Sequence, residues 1–137
     1  MGILPSGLPD SVDNGEELAR FLTQSSQFNS QMTKPSAFLP SPKDRETSVS
    51  RHGSEPRASL WDIGIAAAGE RQLYGAAIFR AGSVRSTGLD VAADEPPLRH
   101  AVIRGWPWHD IDPGLQKARQ IELAIVIASS AGRPVLR

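Results

Sequence analysis

Cysteine is absent from this chain of 137 residues. Disulfide bonds and thiolate metal sites are therefore excluded. An excess of charge of either sign is lacking too, because 15 basic residues are balanced by 15 acidic ones. A chain with no net charge has no long-range field to attract nucleic acid or an anionic membrane. Binding to either one would need a local cluster of charge.

Long apolar runs and targeting signals are also lacking. The sequence has no run of about 18 apolar residues, which predicts that nothing spans a membrane. The first residues, Met1-Gly2-Ile3-Leu4-Pro5, lack the basic and apolar segments of a signal peptide. We therefore expect a cytoplasmic protein with no membrane partner.

The local motifs of the commonest nucleotide-binding and hydrolytic enzymes are missing. No GxGxxG, P-loop, GxSxG or HExxH pattern occurs. Asp112 lies near His109 and Asp110, but its place before Pro113 is better explained as a helix cap than as a metal ligand. We expect neither a metal nor a cofactor. Both an enzyme without a local motif and a non-enzymatic protein stay open.

The length predicts one domain with one hydrophobic core. Residues 1–45 are interpreted as an N-terminal arm, a short helix and a Pro/Ser-rich loop. Asp13 or Asn14 can cap that helix, which extends to Leu22. Residues 46–137 are predicted to form the α+β core.

Hydrophobic periodicity within the core predicts most of the regular structure. Strands are expected over 46–51, 73–79, 84–92, 100–104 and 135–136, and helices over 54–68 and 113–130. The second and third of these strands should form an antiparallel hairpin. Ile121 and Ile125 should be buried residues of the last helix. The prediction is an α+β fold, in which an antiparallel sheet of three or four strands carries the long C-terminal helix on one face.

Polar and aromatic side chains are densest in residues 94–112. If part of this segment is a strand, alternation puts His100 and Arg104 on one face. A histidine near an arginine can move a proton while the guanidinium holds an anion. Glu46 and Arg51 on a neighbouring strand complete this hypothetical set of catalytic residues. The alternative is a surface strand with ordinary polar residues.

Two tryptophans flank a proline in this segment. Rigid, exposed aromatic rings are good anchors for a protein or a nucleic-acid base. Trp106 and Trp108 are therefore the predicted binding residues. The alternative is that one or both rings cap the end of the core.

Several short strings carry a resemblance to known proteins. They are Glu46-Thr47-Ser48-Val49, Leu60-Trp61, Tyr74-Gly75-Ala76-Ala77, Asp94-Glu95-Pro96-Pro97, Arg99-His100-Ala101 and Gly105-Trp106-Pro107. In these strings the chain, over roughly residues 46–107, resembles a group of small uncharacterised bacterial proteins. The resemblance implies a bacterial source and suggests a link to mobile elements or defence, and it transfers no catalytic residue.

The leading hypothesis is a small bacterial cytoplasmic interaction or accessory protein whose partner is another protein. The alternative is a small metal-independent toxin of the nuclease or transferase kind that uses His100 and Arg104. An enzyme should bring the four candidate catalytic side chains into one concave pocket, whereas an interaction protein should scatter them and expose a tryptophan. Nucleic-acid binding without catalysis would need a clustered Arg/Lys face.

Overall fold

A computed structural model describes residues 2–137 and shows an α+β fold. Six strands form one antiparallel sheet in the order β4-β5-β2-β1-β3-β6. The strands are β1 (Glu17–Leu22), β2 (Thr47–Ser50), β3 (Gly75–Arg80), β4 (Asp90–Ala93), β5 (His100–Arg104) and β6 (Val135–Leu136). The helices are α1 (Arg57–Ala68), α2 (Ala81–Arg85) and α3 (Pro113–Ala131). The predicted class and the C-terminal helix are confirmed, but the sheet is larger than the expected three or four strands.

The helix expected up to Leu22 is wrong, because this segment is β1 and lies between β2 and β3. Leu18 and Leu22 are buried on one face of the sheet, and Ala19 and Phe21 are buried on the other. A strand covered on both faces is apolar at nearly every position, so it can imitate a short helical stripe. The segment 1–45 thus supplies a strand to the middle of the sheet.

The expected hairpin between 73–79 and 84–92 is also wrong. The chain leaves β3 directly into the short helix α2, where Val84 is buried in the core, and β4 begins only at Asp90. β3 pairs with β1 and β6, while β4 pairs with β5 at the opposite edge of the sheet. Local alternation therefore identified part of the strand but not its partner.

Helix α3 covers one face of the sheet. Asp112 caps it as predicted, since its Oδ1 accepts a hydrogen bond from the Leu115 N–H at 3.0 Å. The buried side of α3 contains Ala124 and Ile127. The expected burial of Ile125 is wrong, because its side chain is 47% exposed, and Ile121 is only partly buried. The helix is apolar on most sides, so its sequence did not select the side that meets the sheet.

Helix α1 packs on the other face, against β1. Gly64 makes this contact close, because a Cβ there would lie 2.8 Å from Phe21 Cδ1. Leu60 and Ala68 are buried in the same layer. A cavity lies beside this helix, next to β2 and β5. None of the helices within residues 2–137 is long and apolar enough to cross a membrane.

Candidate ligand-binding cavity

The four side chains proposed as catalytic from the sequence do not converge. Arg51 is buried and donates two hydrogen bonds to Glu16, and it also bonds to the carbonyl oxygens of Pro9 and Ser11. It therefore fastens the N-terminal segment to the sheet.

The other candidates lie apart from Arg51. Arg104 is exposed at the end of β5, where its Nη2 is 3.8 Å from Asp90 Oδ2. Glu46 is partly exposed just before β2 and makes no ion pair within the described part of the chain. Only His100 lines the cavity.

The two tryptophans predicted to bind a partner are in different settings. Trp106 is 7% exposed and belongs to the core beneath α3, so its ring is not presented at the surface. Trp108 is partly buried, and the Arg45 guanidinium lies 4.6 Å from the centre of its ring. Such a cation–π contact already occupies one face of the ring.

The cavity has a volume of about 530 Å³ and lies between α1 and the sheet. Its walls are largely apolar and include Phe21, Ile63, Ala66 and Leu98. Its main polar groups are Arg20, Arg71, Ser50 and His100. An apolar pocket with a few convergent polar groups is the usual form of a small-molecule site.

Arg20 reaches the cavity where β1 separates from β2. The two strands pair only at Ala19 and Ser50, and the Arg20 guanidinium fills the gap beyond this pair. Its Nε donates to the Ala37 carbonyl oxygen at 2.8 Å, and its Nη1 donates to the Ser48 carbonyl oxygen at 2.9 Å. Burial, aided by repulsion from Arg71, lowers the pKa of Arg20 to about 10.

Arg71 lies just beyond the end of α1. Its Nε donates to the Ala68 carbonyl oxygen at 3.1 Å, and its Nη2 donates to the Ala67 carbonyl oxygen at 3.2 Å. These contacts place a cation at a helix C-terminus, where the dipole favours it. No carboxylate in residues 2–137 pairs with either Arg20 or Arg71.

Ser50 and His100 lie directly opposite each other on β2 and β5. Ser50 is 6% exposed, and its buried hydroxyl oxygen has no hydrogen-bond partner in the described chain. The His100 Nδ1 is 2.9 Å from the Asp94 carbonyl oxygen and 3.1 Å from Asp94 Oδ2. Two acceptors at Nδ1 place a proton there, so in the neutral form of the ring Nε2 carries the free lone pair.

His52 is a further buried titratable group near the cavity. Its pKa is lowered to about 4, first by desolvation and then by the charge of Arg99. Its Nδ1 has no partner among the described residues, and it does not line the cavity. Nowhere between residues 2 and 137 do three or more His, Cys, Asp or Glu side chains group so as to hold a metal ion.

Sequence reasoning found His100 but missed the two arginines of the cavity. Arg20 was placed in a helix, and Arg71 follows a helix with no pattern around it. Ser50 could have been selected, because strand alternation puts it on one face with Ser48 and the cross-strand pair with His100 follows from the register.

Comparison of the chain with protein-family models, curated protein sequences and solved structures gives no match.

Proposed function

We propose that this protein binds a small anionic ligand with an apolar body in the cavity beside α1. The observation that carries the proposal is the approach of Arg20 and Arg71 without a carboxylate to neutralise them. The two like charges repel each other, and Arg20 also loses hydration because it is largely buried. An anion between them removes both penalties.

Ser50 supports a bound polar ligand independently. Its hydroxyl is buried on the cavity side of the sheet and satisfies no hydrogen bond in the described chain. Buried polar atoms without partners are uncommon in native proteins, and each needs a water or a ligand. The cavity thus offers both positive charge and unused hydrogen-bonding capacity.

The rest of the cavity selects the body of the ligand. Ile63, Ala66 and Leu98 present apolar surface, and the volume of about 530 Å³ falls within the range of small-molecule sites. A bare inorganic anion would leave this apolar surface exposed to water. A carboxylate or phosphate on an aromatic or aliphatic body fills the space better.

The proposed binding site contains one of the four residues of the toxin hypothesis, and it leaves the accessory-protein hypothesis open. The toxin hypothesis keeps His100, but its other three candidate residues lie outside the cavity. The role as an accessory protein with a protein partner stays a prediction, as does the link to bacterial mobile elements or defence. Binding of a small anion is compatible with either role.

Calorimetric titration tests the proposal with three probes of similar shape: benzoate, phenyl phosphate and neutral benzamide. At least one of the two anions should bind at least ten times more tightly than benzamide, since it meets two guanidinium groups. Arg71→Gln should reduce this preference. Arg57→Gln is the matched control, because Arg57 begins the same helix and does not line the cavity.

Melting curves must first show that both variants fold. Arg71 is exposed, so its replacement should leave the fold intact. Equal affinity for benzoate, phenyl phosphate and benzamide would contradict the proposal, as would a preference that survives Arg71→Gln unchanged.

A further inference from the structure

We infer that the cavity hydrolyses a carboxylic ester of its anionic ligand, with His100 as the general base. This inference rests on the proposed function, because the anionic group is what places the ester. It goes beyond binding by giving the imidazole a chemical task. Three features of the site carry it.

The first feature is the double support of the His100 ring. The Asp94 carbonyl oxygen at 2.9 Å from Nδ1 is by itself enough to fix the tautomer. The Asp94 carboxylate at 3.1 Å adds a negative charge beside the same nitrogen. That charge has little effect on a neutral ring but stabilises the imidazolium that forms when Nε2 takes up a proton. The arrangement is therefore that of a proton acceptor.

The second feature is the freedom of Nε2. His100 lines the cavity, and within residues 2–137 the only hydrogen-bonding contacts of its imidazole ring are those of Nδ1 with Asp94. A base must be within reach of the proton that it abstracts, directly or through one water. A water held in the cavity against Nε2 meets this condition.

The third feature is the positive charge of Arg20 and Arg71 in the same cavity. Ester hydrolysis passes through a tetrahedral intermediate with a negatively charged oxygen. Fixed cationic donors stabilise that charge as it develops. The same pair also holds the anionic group of the substrate, which favours esters of acids that carry a second negative charge.

The nucleophile is assigned to water rather than to Ser50. The Ser50 hydroxyl makes no hydrogen bond to His100, so no base in the described chain activates it as a nucleophile. In the step, Nε2 removes a proton from water as the water oxygen bonds to the ester carbonyl carbon. The carbonyl π pair moves to oxygen, then returns as the ester C–O bond breaks. The proton on Nε2 passes to the departing alkoxide, so the products are an acid and an alcohol.

Hydrolysis of two matched nitrophenyl esters by the full chain tests the inference. Mono-4-nitrophenyl glutarate carries a carboxylate, and 4-nitrophenyl pentanoate has an acyl chain of the same length without it. After subtraction of the rate in buffer, release of nitrophenolate should be at least ten times faster from the anionic ester than from the neutral ester. Arg71→Gln should lower this ratio, and the Arg57→Gln control should keep it.

Two variants address the proton transfer. His100→Asn keeps a donor near Asp94 but removes Nε2, and it should lower the rate by a factor of about 100 or more. Asp94→Asn changes an exposed carboxylate, so it keeps the fold even if the first variant does not. It should lower kcat by a factor of about 10 with little change in KM.

The outcomes separate this inference from the proposed function. Anion binding with no ester hydrolysis above buffer would overturn the general-base assignment and leave the binding proposal standing. Loss of both would overturn both. Hydrolysis that continues at the parent rate in His100→Asn or in Asp94→Asn would remove His100 as the base. Covalent labelling of Ser50 by phenylmethanesulfonyl fluoride, with loss of activity, would replace water by Ser50 as the nucleophile.

Discussion

Arg51 and Glu16 are joined by two hydrogen bonds, from Nε to Oε2 at 2.6 Å and from Nη2 to Oε1 at 2.8 Å. The Arg51 side chain is 0% exposed, and the hydrogen bond to Glu16 is the main reason that its pKa lies above its ordinary value. The pair connects the segment before β1 to the end of β2. It therefore stabilises the strand arrangement on which the cavity depends.

Glu16→Gln should destabilise the protein strongly. The change leaves the Arg51 guanidinium buried without an opposite charge, which costs about 3–5 kcal/mol of unfolding free energy. Glu17→Gln is the matched control, because the Glu17–Arg80 pair is longer, at 3.9 Å, and lies at the surface. That control should lose less than about 1 kcal/mol. Urea denaturation of both variants measures the difference, and equal losses would show that the buried pair is not special.

His52 should make stability depend on pH between about 6.5 and 4. Its pKa falls from 6.5 to about 4 on folding, mainly because burial penalises the charged ring. The unfolded chain therefore binds the proton first as the pH drops. Stability is unaffected by His52 above pH 6.5, decreases by up to about 1.4 kcal/mol per pH unit below it, and levels off near pH 4.

His52→Gln should flatten this slope. Melting temperatures measured from pH 7.5 to 4 would compare the variant with the parent. Asp90, whose pKa is lowered from 3.8 chiefly by its hydrogen bond with Arg85, acts below this window and does not obscure the result. An unchanged slope in the variant would mean that another group controls the response.

Neighbouring isoleucines on α3 should respond oppositely to a charge. Ile127 is 0% exposed, so Ile127→Lys should cost several kcal/mol and unfold much of the protein. Ile125 is nearly half exposed, and Ile125→Lys should change the unfolding free energy by less than about 1 kcal/mol. Circular dichroism melting distinguishes the two. Similar losses of stability in both variants would mean that α3 does not pack against the sheet through the side that contains Ile127.

Gly64→Ala should destabilise α1 although alanine favours helices. The new Cβ would lie 2.8 Å from Phe21 Cδ1 and from Leu73 Cδ2, so α1 must move away from the sheet. Overpacking costs about 1–3 kcal/mol, while alanine recovers about 1 kcal/mol of helix propensity. We expect a net loss of about 1 kcal/mol in urea denaturation.

The control for this experiment is Gly114→Ala near the start of α3. Its Cβ would meet only Asp112 Oδ1, at 3.4 Å, so the helix-propensity gain should dominate and stability should rise. A gain at both glycines would contradict the close packing of α1 on β1.

Local chemistry in the sequence was enough for the elements that carry their own signals. Asp112 and Pro113 predicted the start of α3. The helix ends expected at 68 and 130 lie within one residue of the observed ends, which are followed by Gly69 and Gly132 with φ of 63° and 66°. The alternation around β5 predicted that strand too. Such signals act within a few residues and do not depend on contacts with distant parts of the chain.

Only the tertiary structure decided the rest. β1 is a strand because two layers cover it, and β3 pairs with β1 rather than with β4 because α2 turns the chain away. Arg20 and Arg71 meet in the cavity although about fifty residues separate them in the chain. The amino-acid pattern set caps, turns and alternation by itself. Long-range packing determined which strands pair and which charges share a cavity, because those contacts join segments that no local pattern relates.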